Sequence, residues 1–309
     1  MKHRILVTGS EGLIGAPLCI ALAARGLEVV GLDLAARGRR LGDVRDPDRV
    51  RAAMSGCTGV IHLAAVSRVV TAERHPETCW STNVVGLRTV TDAALRHPDP
   101  RPWLIFTSSR EVYGQPERLP VDEEAPLRPL NTYGRSKLIG ECVVDAARAE
   151  GLRTAILRLS NVYGSTHDHA DRVIPAFVRA AVQAGELWVN GLDHTFDFTH
   201  VEDTVRGVAC LAERLTRGLP APPPINLSTG EPTTLGDLAA MTVALAGGKA
   251  SIRSGPPRSF DVDRFYAKPS RAFEILDWSP HVSLREGLAR LIADHRHALG
   301  SHHTEEARP

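Results

Sequence analysis

The chain has 309 residues, 43% of them hydrophobic, with a formal charge of +1; it can bury a large core, as one composite domain or as a pair. So small a charge, with no long basic run, argues against nucleic acid or an anionic membrane surface as the main partner. No run approaches the roughly 20 apolar residues of a membrane span, and Ile5-Leu6-Val7 is too short for the apolar part of a signal peptide.

Taken in order, Ile5-Leu6-Val7 is a short strand that breaks at Gly9-Ser10-Glu11-Gly12-Leu13-Ile14-Gly15, and residues 16–25 read as a helix. In such a loop the first glycine permits a tight turn, the second lets backbone approach a pyrophosphate, and the third allows close helix packing. The helix N-terminus offers N–H groups to the anion. Glu28-Val29-Val30-Gly31-Leu32 forms a second strand ending at Asp33, placed to accept hydrogen bonds from an adenine ribose. Asp33 would repel a 2′-phosphate and so favours NAD over NADP, although Arg37 in the same loop could tolerate one. Gly42-Asp43-Val44-Arg45-Asp46 precedes a helix from Pro47. Residues 59–65 read as a buried strand running into Leu63, Ala64 and Ala65, small enough at its end to leave room for a ligand. Asn83, early in the next helix, reads either as a brace for neighbouring backbone or as a surface residue.

Trp103-Leu104-Ile105-Phe106 is a strand that delivers Thr107-Ser108-Ser109-Arg110-Glu111 to its C-terminal end, where ligands bind in open parallel sheets. The linker 115–131 carries Pro116, Pro120, Pro126 and Pro129 and reads as an irregular loop. It leads to Tyr133-Gly134-Arg135-Ser136-Lys137. If Tyr133 starts a helix, Lys137 lies one turn later on the same face, where its ammonium would favour a tyrosinate. A free Tyr ionises near pH 10, so a positive neighbour and a hydroxyl donor such as Ser109 are what would make it a base near neutrality. The spacing also fits a plain helix start with a solvated Lys.

Residues 154–159 form a strand leading to Ser160-Asn161-Val162-Tyr163-Gly164. The alternation over residues 5–164 is that of a doubly wound α/β parallel sheet. Beyond it come a helix near 173–184, a strand at 187–189, a strand at 195–201 that hands over to a helix from Glu202, a proline-rich connection at 220–224, a helix from Leu235 and a last helical pair ending near Leu299. The expected division is a dinucleotide-binding domain at 1–164, to which 192–217 returns, and a smaller C-terminal α/β cap from 165–191 and 218–299. Residues 300–309, with no apolar face, are expected to be a disordered tail. The five cysteines have no short-spaced pair and read as reduced core thiols of a cytoplasmic protein.

The glycine loop, Asp33, the Ser109 strand end and Tyr133-x-x-x-Lys137, in this order, resemble the extended short-chain dehydrogenase/reductase family, specifically its nucleotide-sugar epimerases and dehydratases. The resemblance implies a Rossmann domain that holds NAD and a cap that binds a nucleoside diphosphate sugar, with no metal. It implies a cofactor wall of Gly9, Gly12, Leu13, Ile14, Gly15, Asp33, Asp43, Val44, Leu63, Ala64, Ala65 and Asn83, joined by Tyr133 and Lys137. By the same resemblance Tyr133 is the base for a sugar hydroxyl, Ser109 its hydrogen-bonding partner, and Lys137 the holder of the nicotinamide ribose that lowers the Tyr133 pKa. Asn161 would touch the sugar or its diphosphate; Arg258 and Asp261 resemble a pair that binds the diphosphate and the nucleoside ribose, Arg because its planar fork can pair phosphate oxygens. A homodimer through the helices beginning near Pro76 and Tyr133 is also implied.

Departures from the family pattern bear on the reaction. Dehydratases of the family carry Thr-Asp-Glu where this chain has Ser109-Arg110-Glu111: Glu111 could still take a proton from C5 of a 4-keto sugar, but Arg110 replaces the general acid. Epimerases usually have small or hydroxyl residues at both positions. A uronate carboxylate would explain an Arg beside the sugar; a simple Arg110–Glu111 pair would explain it equally. Phe196 stands where many relatives place an Arg, which leaves the diphosphate to Arg258 or His194. The leading expectation is an NAD-retaining nucleotide-sugar 4-epimerase. The alternatives are a lyase using Glu111, as dehydratase or uronate decarboxylase, a 4-keto-sugar reductase, and a dinucleotide-sensing protein without activity.

Overall fold

The computed structural model describes residues 3–98, 100–256 and 262–305. Arg258 and Asp261 fall outside the described residues. The first half alternates strand and helix: β1 (Arg4–Thr8), α1 (Gly15–Ala24), β2 (Glu28–Leu32), α2 (Pro47–Met54), β3 (Gly59–His62), α3 (Val69–Arg74), α4 (Pro76–Trp80), α5 (Gly86–Leu95), β4 (Trp103–Ser109), α6 (Thr132–Ala149) and β5 (Thr154–Leu159). A π-helical segment, Ser81–Val85, joins α4 to α5. The strands are near-continuous apolar runs because helices cover both faces, as a parallel sheet requires. The helix starts are written locally: Asp46 caps α2 ahead of Pro47, and Asn131 caps α6 by accepting from the Gly134 N–H at 2.8 Å.

The remaining elements are β6 (Asn161–Tyr163), α7 (Val173–Val182), β7 (Glu186–Asn190), β8 (Thr195–Phe196), β9 (Phe198–His200), α8 (Val201–Thr216), β10 (Ile225–Leu227), β11 (Thr233–Thr234), α9 (Leu235–Leu245), β12 (Ser251–Gly255), β13 (Arg264–Phe265), α10 (Ser270–Leu276) and α11 (Leu284–Glu305). The main sheet has six strands in the order β10-β5-β4-β3-β1-β2, all parallel. The chain runs outward from β1 to β2, then returns to β3 on the other side of β1. That reversal opens a crevice at the strand C-terminal ends, the edge at which the glycine loop and Ser109 emerge.

One core packs α1, α8, Ala272, Leu276 of α10 and Trp278 on one sheet face. A second packs α2, α5 and α6 on the other. A third, over the crevice, joins α7, α9, α11 and the small strands to Val112 and Tyr113. Three departures from the expected division follow. Residues 225–227, placed with the cap, form the edge strand β10 of the main sheet, and α10 packs beneath it; three residues of strand carry too little pattern to show which sheet they join. Within 192–217, expected to return to the first domain, β8 pairs instead with β11 and β13 in a small sheet. Helix α11 continues to Glu305 past the expected end near Leu299, since a helix once nucleated extends cheaply through residues that include no proline. Cys142 is exposed, unlike the core thiols expected; all five cysteines are unpaired. Among the described residues no helix is long and apolar enough to cross a membrane.

Candidate active site

A cavity of about 730 Å³ follows the crevice from Asp33 to the cap. Its first wall is mostly backbone. Gly9 adopts a φ of +73°, and a Cβ on it would lie 2.8 Å from the Ala64 nitrogen; a Cβ on Gly15 would lie 1.9 Å from the Gly9 carbonyl oxygen. These positions admit no side chain. No side chain caps α1; Ala16 already donates to the Gly12 carbonyl at 3.1 Å and Pro17 has no N–H, which leaves the Gly15 N–H at the helix start open to an anion. Asp33 closes this end: Oδ2 accepts from the Glu11 N–H at 3.0 Å and Oδ1 from Ala35 at 2.8 Å, which ties the glycine loop to the end of β2. Asp43 is bound by Arg45, whose Nη2 lies 2.6 Å from Oδ2 and holds its carboxyl below the usual range. A bare glycine cradle, an uncapped helix and a carboxylate at the tip of β2 fit a dinucleotide.

Each expected cofactor residue lines this cavity except Asn83. Asn83 sits in the π-helical segment and is turned to bracing. Its Oδ1 accepts from the Val66 N–H at 2.7 Å, and its Nδ2 donates to the Val66 carbonyl and to Ser136 Oγ at 2.9 Å. It thereby fastens the loop after β3 to α6.

The second wall comes from β4 and α6. Lys137 lies one helical turn beyond Tyr133, and its Nζ donates to the Thr107 carbonyl at 2.9 Å. Burial lowers the Lys137 ammonium to about 8. Burial also pushes the Tyr133 phenol up to about 12, against the pull of the Ser109 hydroxyl and the charge of Arg172. The Tyr133 phenol is thus raised rather than lowered as expected: desolvation dominates both groups, and Ser109 and Arg172, not Lys137, supply the opposing pull on the phenol. His62 lies below, buried with its Nδ1 2.9 Å from Thr8 Oγ1, and burial drops it to about 3, so it stays neutral.

The third wall faces the cap. Arg110 Nη2 pairs with Glu111 Oε1 at 2.7 Å, its Nε donates to Asn161 Oδ1 at 3.2 Å, and its guanidinium lies 4.7 Å from the Phe196 ring centroid. Its Nη1 is buried without a partner among the described residues. The loop 165–172 completes the rim, with Arg172 on Asp168 at 3.2 Å and Asp171 paired with Arg68.

Beneath this wall lies a network that the sequence does not announce. Arg158 Nη2 donates to Glu141 Oε2 at 2.7 Å and its Nη1 to Tyr113 Oη at 2.9 Å; Tyr113 donates to Asn226 Oδ1 at 2.7 Å, and Ser108 donates to Glu141 Oε1 at 2.5 Å. Arg158 and Glu141 are each only 5% exposed. An Arg inside the apolar run 154–159 and a Glu one turn past Lys137 were the available signals.

Residues 5–227 match the model of the NAD dependent epimerase/dehydratase family. The chain belongs to that family. It is 31% identical to the UDP-glucose 4-epimerase of Streptomyces lividans over 91% of this chain and 92% of that protein. To UDP-glucuronic acid decarboxylase 1 of Arabidopsis thaliana it is 30% identical, over 96% of this chain and 71% of the relative. Among solved structures, the UDP-glucose 4-epimerase of Brucella ovis in complex with NAD superimposes with a TM-score of 0.86 at 30% identity, covering 95% of this chain and 98% of that one. Family members thus include isomerases and lyases, and NAD is the family's cofactor.

Proposed function

We propose that this protein is an NAD-retaining nucleotide-sugar 4-epimerase. The observation that carries the reading is that Ser109, Tyr133 and Lys137 meet on one wall of the cavity whose other end is the glycine cradle. The cradle would hold the pyrophosphate, Asp33 the adenine ribose and Lys137 the nicotinamide ribose; oxidised NAD, when bound, supplies the hydride acceptor and a positive charge beside the phenol. Burial favours the protonated phenol; the added charge of bound NAD would let Tyr133 release that proton to solvent, and the resulting tyrosinate then takes up the C4 hydroxyl proton. Ser109 hydrogen-bonds the same oxygen. The proton returns from Tyr133 to the C4 oxygen when the sugar is reduced on its opposite face, so no external redox partner is consumed.

The similarity to UDP-sugar enzymes supports a UDP-hexose as substrate. A hexuronate is a second reading, favoured by the unpartnered Arg110 Nη1. The test is incubation with a panel of nucleotide sugars, with and without added NADH, followed by mass spectrometry. An isobaric epimer formed without NADH supports the proposal; a product lighter by water or carbon dioxide would replace it with the lyase reading, and strict dependence on NADH with the reductase.

The remaining assignments belong to the same reading. The glycine-loop half, with β10 and α10 added to it, and the cap are taken as two domains. Arg258 and Asp261 are assigned to the diphosphate and nucleoside ribose. A homodimer through α4, α5 and α6 is supported by the exposed apolar side chains of Trp80, Val85 and Ile139, and a cytoplasmic location by unpaired cysteines.

A further inference from the structure

Glu111 has no part in the proton transfer at Tyr133, yet it lines the same cavity. A carboxylate there is a hazard for an epimerase. In a sugar oxidised at C4, the hydrogen on C5 is acidic. If a base takes it, the C5–H electron pair forms an enolate. That enolate either regains a solvent proton at C5 or expels the C6 hydroxyl, which leaves as water once protonated. Both outcomes divert the reaction.

In the structure both Glu111 oxygens are occupied. Oε1 pairs with Arg110 Nη2 at 2.7 Å, and Oε2 accepts from Asn131 Nδ2 at 2.7 Å. Arg110 is itself clamped: Nε reaches Asn161 at 3.2 Å, and the guanidinium lies over the neighbouring rings of Phe196 and Phe265, 4.7 and 5.6 Å from their centroids. Asn131 is built into the start of α6, accepting from the Gly134 N–H at 2.8 Å. The carboxylate is therefore held between a cation fixed by aromatic faces and an amide that caps the helix carrying Tyr133.

We propose that Arg110 is a positioning residue that holds Glu111 as a structural acceptor, so that a 4-keto sugar keeps its C5 hydrogen and is returned as the C4 epimer. The proposal rests on the epimerase reading of the site. Each Glu111 oxygen keeps a second lone pair, but a proton taken there would neutralise the charge that Arg110 and Asn131 hold, and an ion pair in a buried setting is costly to break from one side. Without Arg110, one oxygen is released into the cavity while Asn131 still orients the other.

The experiment is turnover in D₂O with the nucleotide sugar that the panel selects, reading H5 by proton NMR and mass. Wild-type protein is expected to convert sugar with C5 unlabelled. Arg110→Met is expected to label C5 in recovered substrate and product by tenfold or more over wild type, and adding Glu111→Gln to it is expected to abolish the label. Deuterium at C5 with wild-type protein overturns the proposal, as does an Arg110→Met protein that epimerises without labelling, or a label that survives Glu111→Gln. Where the Met variant is unfolded by circular dichroism, Arg110→Gln, which removes the charge but keeps a polar side chain, serves the same comparison. A preformed 4-keto nucleotide sugar, read against an enzyme-free blank, removes the need for oxidation at C4. Labelling of that ketone by the variant and not by wild type upholds the lock even if no sugar is epimerised; epimerisation with equal labelling upholds the enzyme reading and rejects the lock.

Discussion

The two ends of the cavity are built from different materials. The end at Asp33 is backbone: glycines that leave no room for a Cβ, an uncapped helix and one carboxylate held by main-chain N–H groups. The end at Arg110 is side chain, and its charges come already paired, Arg110 with Glu111, Arg172 with Asp168 and Arg158 with Glu141. Backbone recognition is set by local sequence and tolerates little change. Paired side chains can be re-partnered, which is where a family that includes isomerases and lyases has room to vary.

Breaking the Arg110 end from below should have the largest effect. Arg158→Met strands Glu141 in a site 5% exposed, and the expected loss is about 3–5 kcal/mol of unfolding free energy by urea denaturation; a loss under about 1 kcal/mol would mean the network carries no strain-free pairing worth keeping. Next is the pH dependence of Lys137. Its pKa falls from 10.5 to about 8 on folding, so between those values the unfolded chain binds more protons and stability rises with pH. Nucleotide-free protein should gain up to about 3 kcal/mol from pH 8 toward 10.5 relative to Lys137→Met, followed by denaturation at each pH. Tyr133→Phe should cut turnover by on the order of a hundredfold or more, about 2.7 kcal/mol in the barrier, with NAD content unchanged. Gly15→Ala probes the backbone end: its Cβ would meet the Gly9 carbonyl at 1.9 Å, and about 1–3 kcal/mol of stability should be lost together with co-purifying NAD, read from the denatured supernatant.

What could be read from sequence divides along the same line. Gly9, Gly12, Gly15 and Asp33 announce their job because a tight turn and a strand-end acid are local demands, and Tyr133 and Lys137 are tied by one helical turn. The Arg158–Glu141–Tyr113–Asn226 network joins residues from four distant segments, and no spacing rule connects them. Asn83 was legible as a brace but not as one absent from the cavity lining, because the π-helical turn that re-aims it has no sequence signature of its own. The edge strand β10 is three residues long, and only the sheet it joins distinguishes it from a cap strand.

The way the chain is threaded has a consequence for how the molecule can be taken apart. After β5 it leaves the main sheet for β6 and α7, comes back for α8 and β10, leaves again for α9, and comes back for α10 before α11. No single cut separates the main-sheet half from the cap, so swapping caps between relatives demands several coordinated junctions. The two halves must be inherited, and engineered, as one unit.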